Sequence, residues 1–257
     1  MREWETHLGW RFVAVTSAVT LAALFVSPRQ ASGAPTAPFT SDFALERCSW
    51  SSTGNQNLYF SLTPGTFTAF EGEESDQNAT IEVRNEITVL SATKSITFKT
   101  PSGKTLTVQA RVVRERETHD GELAEISRNW FARCTQTNDI FYFGESVDIY
   151  ENGAIVSHDG SWTAGVNGAQ PGLAMPARFL LGSRYLQEIA APVALDEAEN
   201  VAMGLTRTNP VGNFKSCVQV HEVDGIVKND PGEEKVYCPV VGLVLDDTLE
   251  LVERFAP

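Results

Sequence analysis

From residue 57 onward the chain reads as short segments in which apolar and polar residues alternate with a period of two, the repeat of a strand with one face buried. Such segments occupy 58–62, 66–70, 79–90, 95–100, 105–117, 122–136, 140–150 and 154–158, and then 185–190, 198–208, 212–223, 234–245 and 248–255. Turn chemistry separates them: Thr63-Pro64-Gly65, Pro101-Ser102-Gly103, Asp120-Gly121, Asn138-Asp139, Asp159-Gly160, Asn209-Pro210 and Asp246-Asp247. Asn152-Gly153 predicts a tight two-residue hairpin. Residues 197–206 could form a short helix, but Val201, Met203 and Leu205 alternate as in a strand. Strands that follow one another through tight turns predict an antiparallel meander. The fold class is therefore all-β, a single domain over 57–257 whose sheet closes into a barrel-like or sandwich-like form to protect its edges.

One stretch departs from this rhythm. Residues 160–177 carry no charge, and glycines at 160, 165, 168 and 172 with prolines at 171 and 176 predict an irregular loop rather than a strand or helix. An exposed loop of that length should be polar, yet this one offers Trp162, Val166, Leu173 and Met175. Two readings are open: a lid over a ligand cavity, or a plug that completes one end of the core. As a lid, Trp162 and Met175 form the apolar wall, and Asn167 and Gln170 supply the few polar groups. The aromatic strand Phe141-Tyr142-Phe143 just before it adds Tyr142 and Glu145 to the candidate site.

The N-terminus changes the expected compartment. An uncharged apolar run over 12–26 follows Arg2 and Arg11, and small residues precede Ala34. That pattern predicts a signal peptide over 1–33, too short to serve as a comfortable membrane anchor. A loosely held arm, rich in Pro, Ser, Thr and Asn, is expected over 34–56. Four cysteines lie beyond residue 33, an even number that in an exported chain predicts two disulfides. Cys217 and Cys238 would oppose one another in a hairpin, which leaves Cys48 with Cys134. The protein is thus expected in the periplasm or outside the cell.

Composition then narrows the partners. The chain carries a formal charge of −13, and loss of residues 1–33 makes it one unit more negative. That balance disfavours nucleic acid and anionic membrane surfaces. No stable membrane anchor is expected after cleavage.

Around the loop the sequence resembles an uncharacterised group of exported bacterial β-rich proteins. The resemblance is carried by Tyr142-Phe143-Gly144-Glu145, Gly160-Ser161-Trp162, the run 164–169 and the run 171–176, with similar stretches at Thr63-Pro64-Gly65 and 239–243. It implies membership of that group and brings no activity or catalytic residue with it.

Catalytic and metal signatures are weak. His119, His158 and His221 lack zinc spacing, and there is no CxxC. No cofactor and no metal is assigned. Ser161 beside His158 and Asp159 lacks the nucleophile elbow of a triad hydrolase. Glu145, Asp148, Glu151 and Asp159 cluster in sequence, but Glu145 and Asp148 fall on opposite strand faces unless a bulge at Gly144 intervenes. The first expectation is a binding protein that holds a small apolar ligand under residues 160–177. The alternatives are a hydrolase or lyase using Glu145 with His158 or Asp148, and an envelope interaction module that docks through the same loop with Trp162 exposed.

Overall fold

The computed structural model describes residues 38–75 and 79–257, so the expected signal peptide lies outside the described residues. Sixteen strands form almost everything: β1 (Trp50–Ser51), β2 (Phe67–Ser75), β3 (Thr80–Lys99), β4 (Thr105–His119), β5 (Glu122–Cys134), β6 (Ile140–Glu151), β7 (Ala154–Ser157), β8 (Trp162–Thr163), β9 (Gln170–Met175), β10 (Arg184–Leu186), β11 (Glu188–Ile189), β12 (Asp196–Asn209), β13 (Gly212–Asp224), β14 (Glu233–Cys238), β15 (Gly242–Asp246) and β16 (Leu249–Phe255). A single turn of 3₁₀ helix, Leu45–Arg47, is the only helical element among the described residues. None of the described helices is long and apolar enough to cross a membrane.

Every strand pairing is antiparallel, and the hydrogen-bonded order is β10-β12-β13-β14-β15-β16-β2-β3-β4-β5-β6-β9-β11. The two ends of that path, β10 and β11, are consecutive pieces of one extended run parted by Gln187 alone. Arg184–Leu186 pairs with β12 and Glu188–Ile189 pairs with β9, so the sheet is a nearly closed barrel. Closure removes the open edges that a long sheet would otherwise present. Gly172 sits at the seam because a Cβ there would lie 2.1 Å from the Gln187 carbonyl oxygen.

Most of the expected turns close hairpins, whereas Thr63-Pro64-Gly65 leads from a loop into β2 and Asp159-Gly160 joins β7 to β8, which pair with β6 and not with each other; four segments also differ from expectation. Residues 58–62 are irregular: the Asn57 side chain accepts from the Tyr59 N–H and donates to the carbonyls of Asn138 and Met175, which ties the segment down as a loop. Residues 234–245 divide into β14 and β15, because Pro239 has no N–H to donate and Val240 takes a left-handed φ of 71°. The arm is held rather than loose from residue 38 on, with Trp50 paired to Cys134, Thr40 bridged to Tyr185, and Leu45 buried. The loop expected at 160–177 contains β8 and β9 in spite of its glycines and prolines. Pro171 and Gly172 sit in an extended strand between β6 and β11, and the tight turn is confined to 164–168.

Both expected cysteine pairs are disulfides, Cys48–Cys134 joining the arm to β5 and Cys217–Cys238 joining β13 to β14. Such bonds form and persist in oxidising, non-cytoplasmic surroundings. The larger hydrophobic cluster runs from Leu45 and Leu62 through Trp130, Phe141, Phe143 and Met175, and a smaller one around Phe70, Val236 and Leu251 lies beside the second disulfide.

Candidate functional site

Two bulges place the site. On β3 the register to β4 breaks between Val89 and Thr93, and the freed carbonyls do not go unpaired. The Arg111 guanidinium donates to the carbonyls of Leu90, Ser91 and Ala92 on this bulge, at 2.7–3.4 Å, and to Ser52 on the arm at 2.6 Å. Beyond the bend the far half of the hairpin reaches across to the 160s. Phe98 meets Phe143 at 5.8 Å, and a Cβ on Gly165 would lie 2.4 Å from the Thr97 carbonyl oxygen. The second break lies between β5 and β6, where Asn129 faces Glu145 but Phe131 faces Tyr142. The extra residue is accommodated at Gly144, whose φ of 119° suits glycine and whose Cβ would strike the Trp162 carbonyl at 2.4 Å.

Between these bulges opens a cleft of about 370 Å³. Lys94 and Trp130 come from the bulged parts of β3 and β5, Glu145 and Ser146 from β6, and Trp162, Thr163, Val166, Asn167 and Ala169 from the turn region. The remaining wall is the turn 190–193, with Val193 and Val166 exposed at the rim. Lys94 Nζ rests 3.2 Å from the centre of the Trp130 ring. Burial pushes the Lys94 ammonium below its ordinary pKa.

Around Glu145 the interior is polar. Burial pushes the Glu145 carboxyl up to about 8, and Glu125, Glu115 and Asp196 add to it. The buried Tyr142 hydroxyl donates to Asn129 Oδ1, and Asn129 Nδ2 donates to Ser127. Glu188 is buried and held well above the usual carboxylate range by desolvation, then by Asp196 and Glu145. The Trp162 indole nitrogen is buried with no partner in hydrogen-bond geometry, and it faces Glu188 closely enough to favour the anion slightly. Desolvation, then Glu222, pushes Asp196 up to about 7, and Glu115 and Glu125 reach about 7 for the same first reason. Deeper still, Lys235 Nζ lies 2.9 Å from Glu222, 3.5 Å from Asp246 and 4.0 Å from Glu233. Burial alone would lower this ammonium, but the three carboxylates outweigh it and hold it well above its ordinary pKa.

Of the residues expected in the site, Glu145, Trp162 and Asn167 line one cleft. Tyr142 stands just behind them, edge-on to Trp162 at 5.4 Å. Met175 does not join the wall: it is fully buried in the core, because β9 is a strand rather than a free lid. Gln170 likewise opens β9 and lies outside the lining. Glu145 is not brought together with Asp148 or His158. The bulge precedes Glu145, so the parity from 145 to 148 is unbroken, and Asp148 pairs outside with Arg128 at 2.9 Å and His158 at 3.0 Å. Ser161 donates no triad either, since its hydroxyl accepts from the Val147 N–H. Docking through an exposed Trp162 lacks its anchor, as that side chain is 6% exposed. Lys94 and Trp130 were missed because their role depends on bulges that period-two alternation does not show. No group of His, Cys, Asp and Glu suited to a metal occurs among the described residues. In comparisons with known proteins the chain matches no family model, no curated protein and no solved structure.

Proposed function

We propose that this is an exported binding protein that takes a small amphipathic molecule into the cleft between β3, β6 and the 162–169 turn. The observation that carries it is the cleft itself: about 370 Å³, walled by Trp130 and Trp162, with one buried carboxyl at its base. Binding sites are commonly concave, largely apolar, and fitted with a few polar groups that fix orientation. The wall is rigidly built, with Gly144 and Gly165 each packed against backbone. Export is supported by the two disulfides and by the apolar run over 12–26. Of the residues behind the likeness to exported bacterial proteins, Glu145, Ser161, Trp162, Val166, Asn167 and Ala169 line this cleft. The ligand expected from the sequence was apolar; the presence of Glu145 and Lys94 in the lining favours an amphipathic one.

Native mass spectrometry of the protein purified from its export compartment tests this. A small-molecule adduct that disappears on denaturation, and is absent from Trp162→Ala, is the expected result. A bare mass in both proteins, with no change in tryptophan emission across an amphipathic ligand library, would remove the binding reading.

A further inference from the structure

Only two charged side chains line the cleft, Lys94 and Glu145, and they are not equivalent. Lys94 comes from the cleft's own wall and lies across the face of Trp130 at 3.2 Å, so that ring already holds an alkylammonium. An electron-rich indole face with a cation on it is a ready cation site, occupied here by the protein's own side chain. Glu145, on β6, has acidic neighbours around it. Glu115 on β4, Glu125 on β5, Glu188 on β11 and Asp196 on β12 all face it, with the neutral Tyr142 hydroxyl from its own strand. The interior cation, Lys235, is engaged by Glu222 and Asp246. Glu145 is thus the one acidic group in the lining, and once ionised it attracts a cationic ligand and repels an anionic one.

We infer that the cleft selects a ligand bearing a protonated amine, with the cation against Glu145 and the apolar body between Trp130 and Trp162, where it displaces Lys94 from the indole face. The inference rests on the binding reading above and narrows it to a ligand class. It carries a linkage consequence. Free Glu145 holds its proton at neutral pH, because burial among carboxyls raises its pKa to about 8. A bound ammonium favours the carboxylate, so the proton leaves Glu145 for solvent as the ligand enters. Binding should therefore release about one proton per ligand near neutral pH and tighten as pH rises toward 8.

Three isosteric probes separate the charges: tryptamine, the neutral alcohol tryptophol, and indoleacetate. Calorimetry of the disulfide-bonded protein at pH 7, in two buffers of different ionisation enthalpy, reads both affinity and proton release. Tryptamine is expected to bind best, with release of about one proton. In Glu145→Gln its affinity should fall by about tenfold or more and the proton release vanish, while a melt that coincides with wild type in acid certifies the fold. Lys94→Met, which empties the indole face and keeps the aliphatic stem, should tighten tryptamine several-fold. Tryptophol or indoleacetate binding as tightly as tryptamine, with no proton release, would overturn the amine assignment. If Trp162→Ala still abolished that binding, the cleft reading would stand. Silence from all three probes would overturn both.

Discussion

The interior of this barrel holds two charged regions that solve the same problem differently. Around Lys235, three carboxyls of β13, β14 and β15 surround one ammonium within 4.0 Å, so each has a cation at hand. Around Glu145, the carboxyls of β4, β5, β6, β11 and β12 face one another; Lys235 reaches Glu115, Glu188 and Asp196 only as a secondary influence, and burial pushes the group toward the protonated form. The ammonium there is fully engaged, although burial still pushes Glu233 up to about 8. A buried carboxyl kept neutral by its surroundings costs stability when it ionises, and a cation brought from outside relieves that cost. The first region is thus built as structure, and the second is where binding free energy remains available.

The two hydrophobic clusters also have a disulfide each, and the difference between the bonds gives the largest expected effect. Cys48–Cys134 spans 86 residues and fastens the arm over β5, whereas Cys217–Cys238 spans 21 within one hairpin. Chain-entropy arguments put their removal at about 4–5 and about 3 kcal/mol respectively. Urea melts of the two double alanine variants should show that order. Equal losses would mean that the arm adds no constraint beyond its local packing.

Next in size is Lys235→Met. Leaving Glu222, Asp246 and Glu233 without their cation should cost about 3–4 kcal/mol at pH 8, the range for breaking a buried pair. The loss should shrink as pH falls toward 5, because orphaned carboxyls can take up protons in the folded state. A thermal melt series against wild type checks both points, and a constant difference across pH would show that Lys235 acts through packing alone.

The paired and unpaired regions were not equally legible in the sequence. Alternation and turn residues were enough for the meander, and hairpin logic was enough for Cys217–Cys238 and, by remainder, for Cys48–Cys134. The seam was hidden, because residues 185–190 look like one strand and only the structure shows Gln187 dividing it between two partners. At the site, Glu145, Trp162 and Asn167 were found from an uncharged run beside an aromatic strand. The same run misled at Met175: glycine and proline counts suggested a loop, but Gly172 serves a close strand approach and Pro171 fits an extended backbone. Glu115, Asp196 and Lys235 sit on separate strands far apart in sequence, and no local pattern brings them together.

Glu145→Gln probes the unpaired region through stability rather than binding. A carboxyl whose folded pKa is raised, from 4.5 to about 8 here, contributes stability that is full below its unfolded pKa and is lost as pH rises through the folded one. Wild type should therefore lose stability between about pH 4.5 and 8 with a steeper slope than the variant. The two should coincide near pH 4, and the variant should be more stable by roughly 1–3 kcal/mol at pH 8.5, allowing for relaxation around the ionised group. Melts that stay parallel over that window would show that Glu145 is already ionised and would weaken the contrast between the regions.

The smallest expected effect comes from three residues further along the same strand. Asp148 faces outward and pairs with Arg128 and His158, both substantially exposed. Exposed ion pairs contribute little after screening and side-chain entropy, so Asp148→Asn should cost less than about 1 kcal/mol and lose even that at high salt. It should leave tryptamine binding and its proton release untouched, since the carboxyl lies across the sheet from the cleft. A comparable loss of binding in Asp148→Asn and Glu145→Gln would mean that β6 does not divide the two faces as its register implies. The acid pair with His158 would then return as chemistry in its own right.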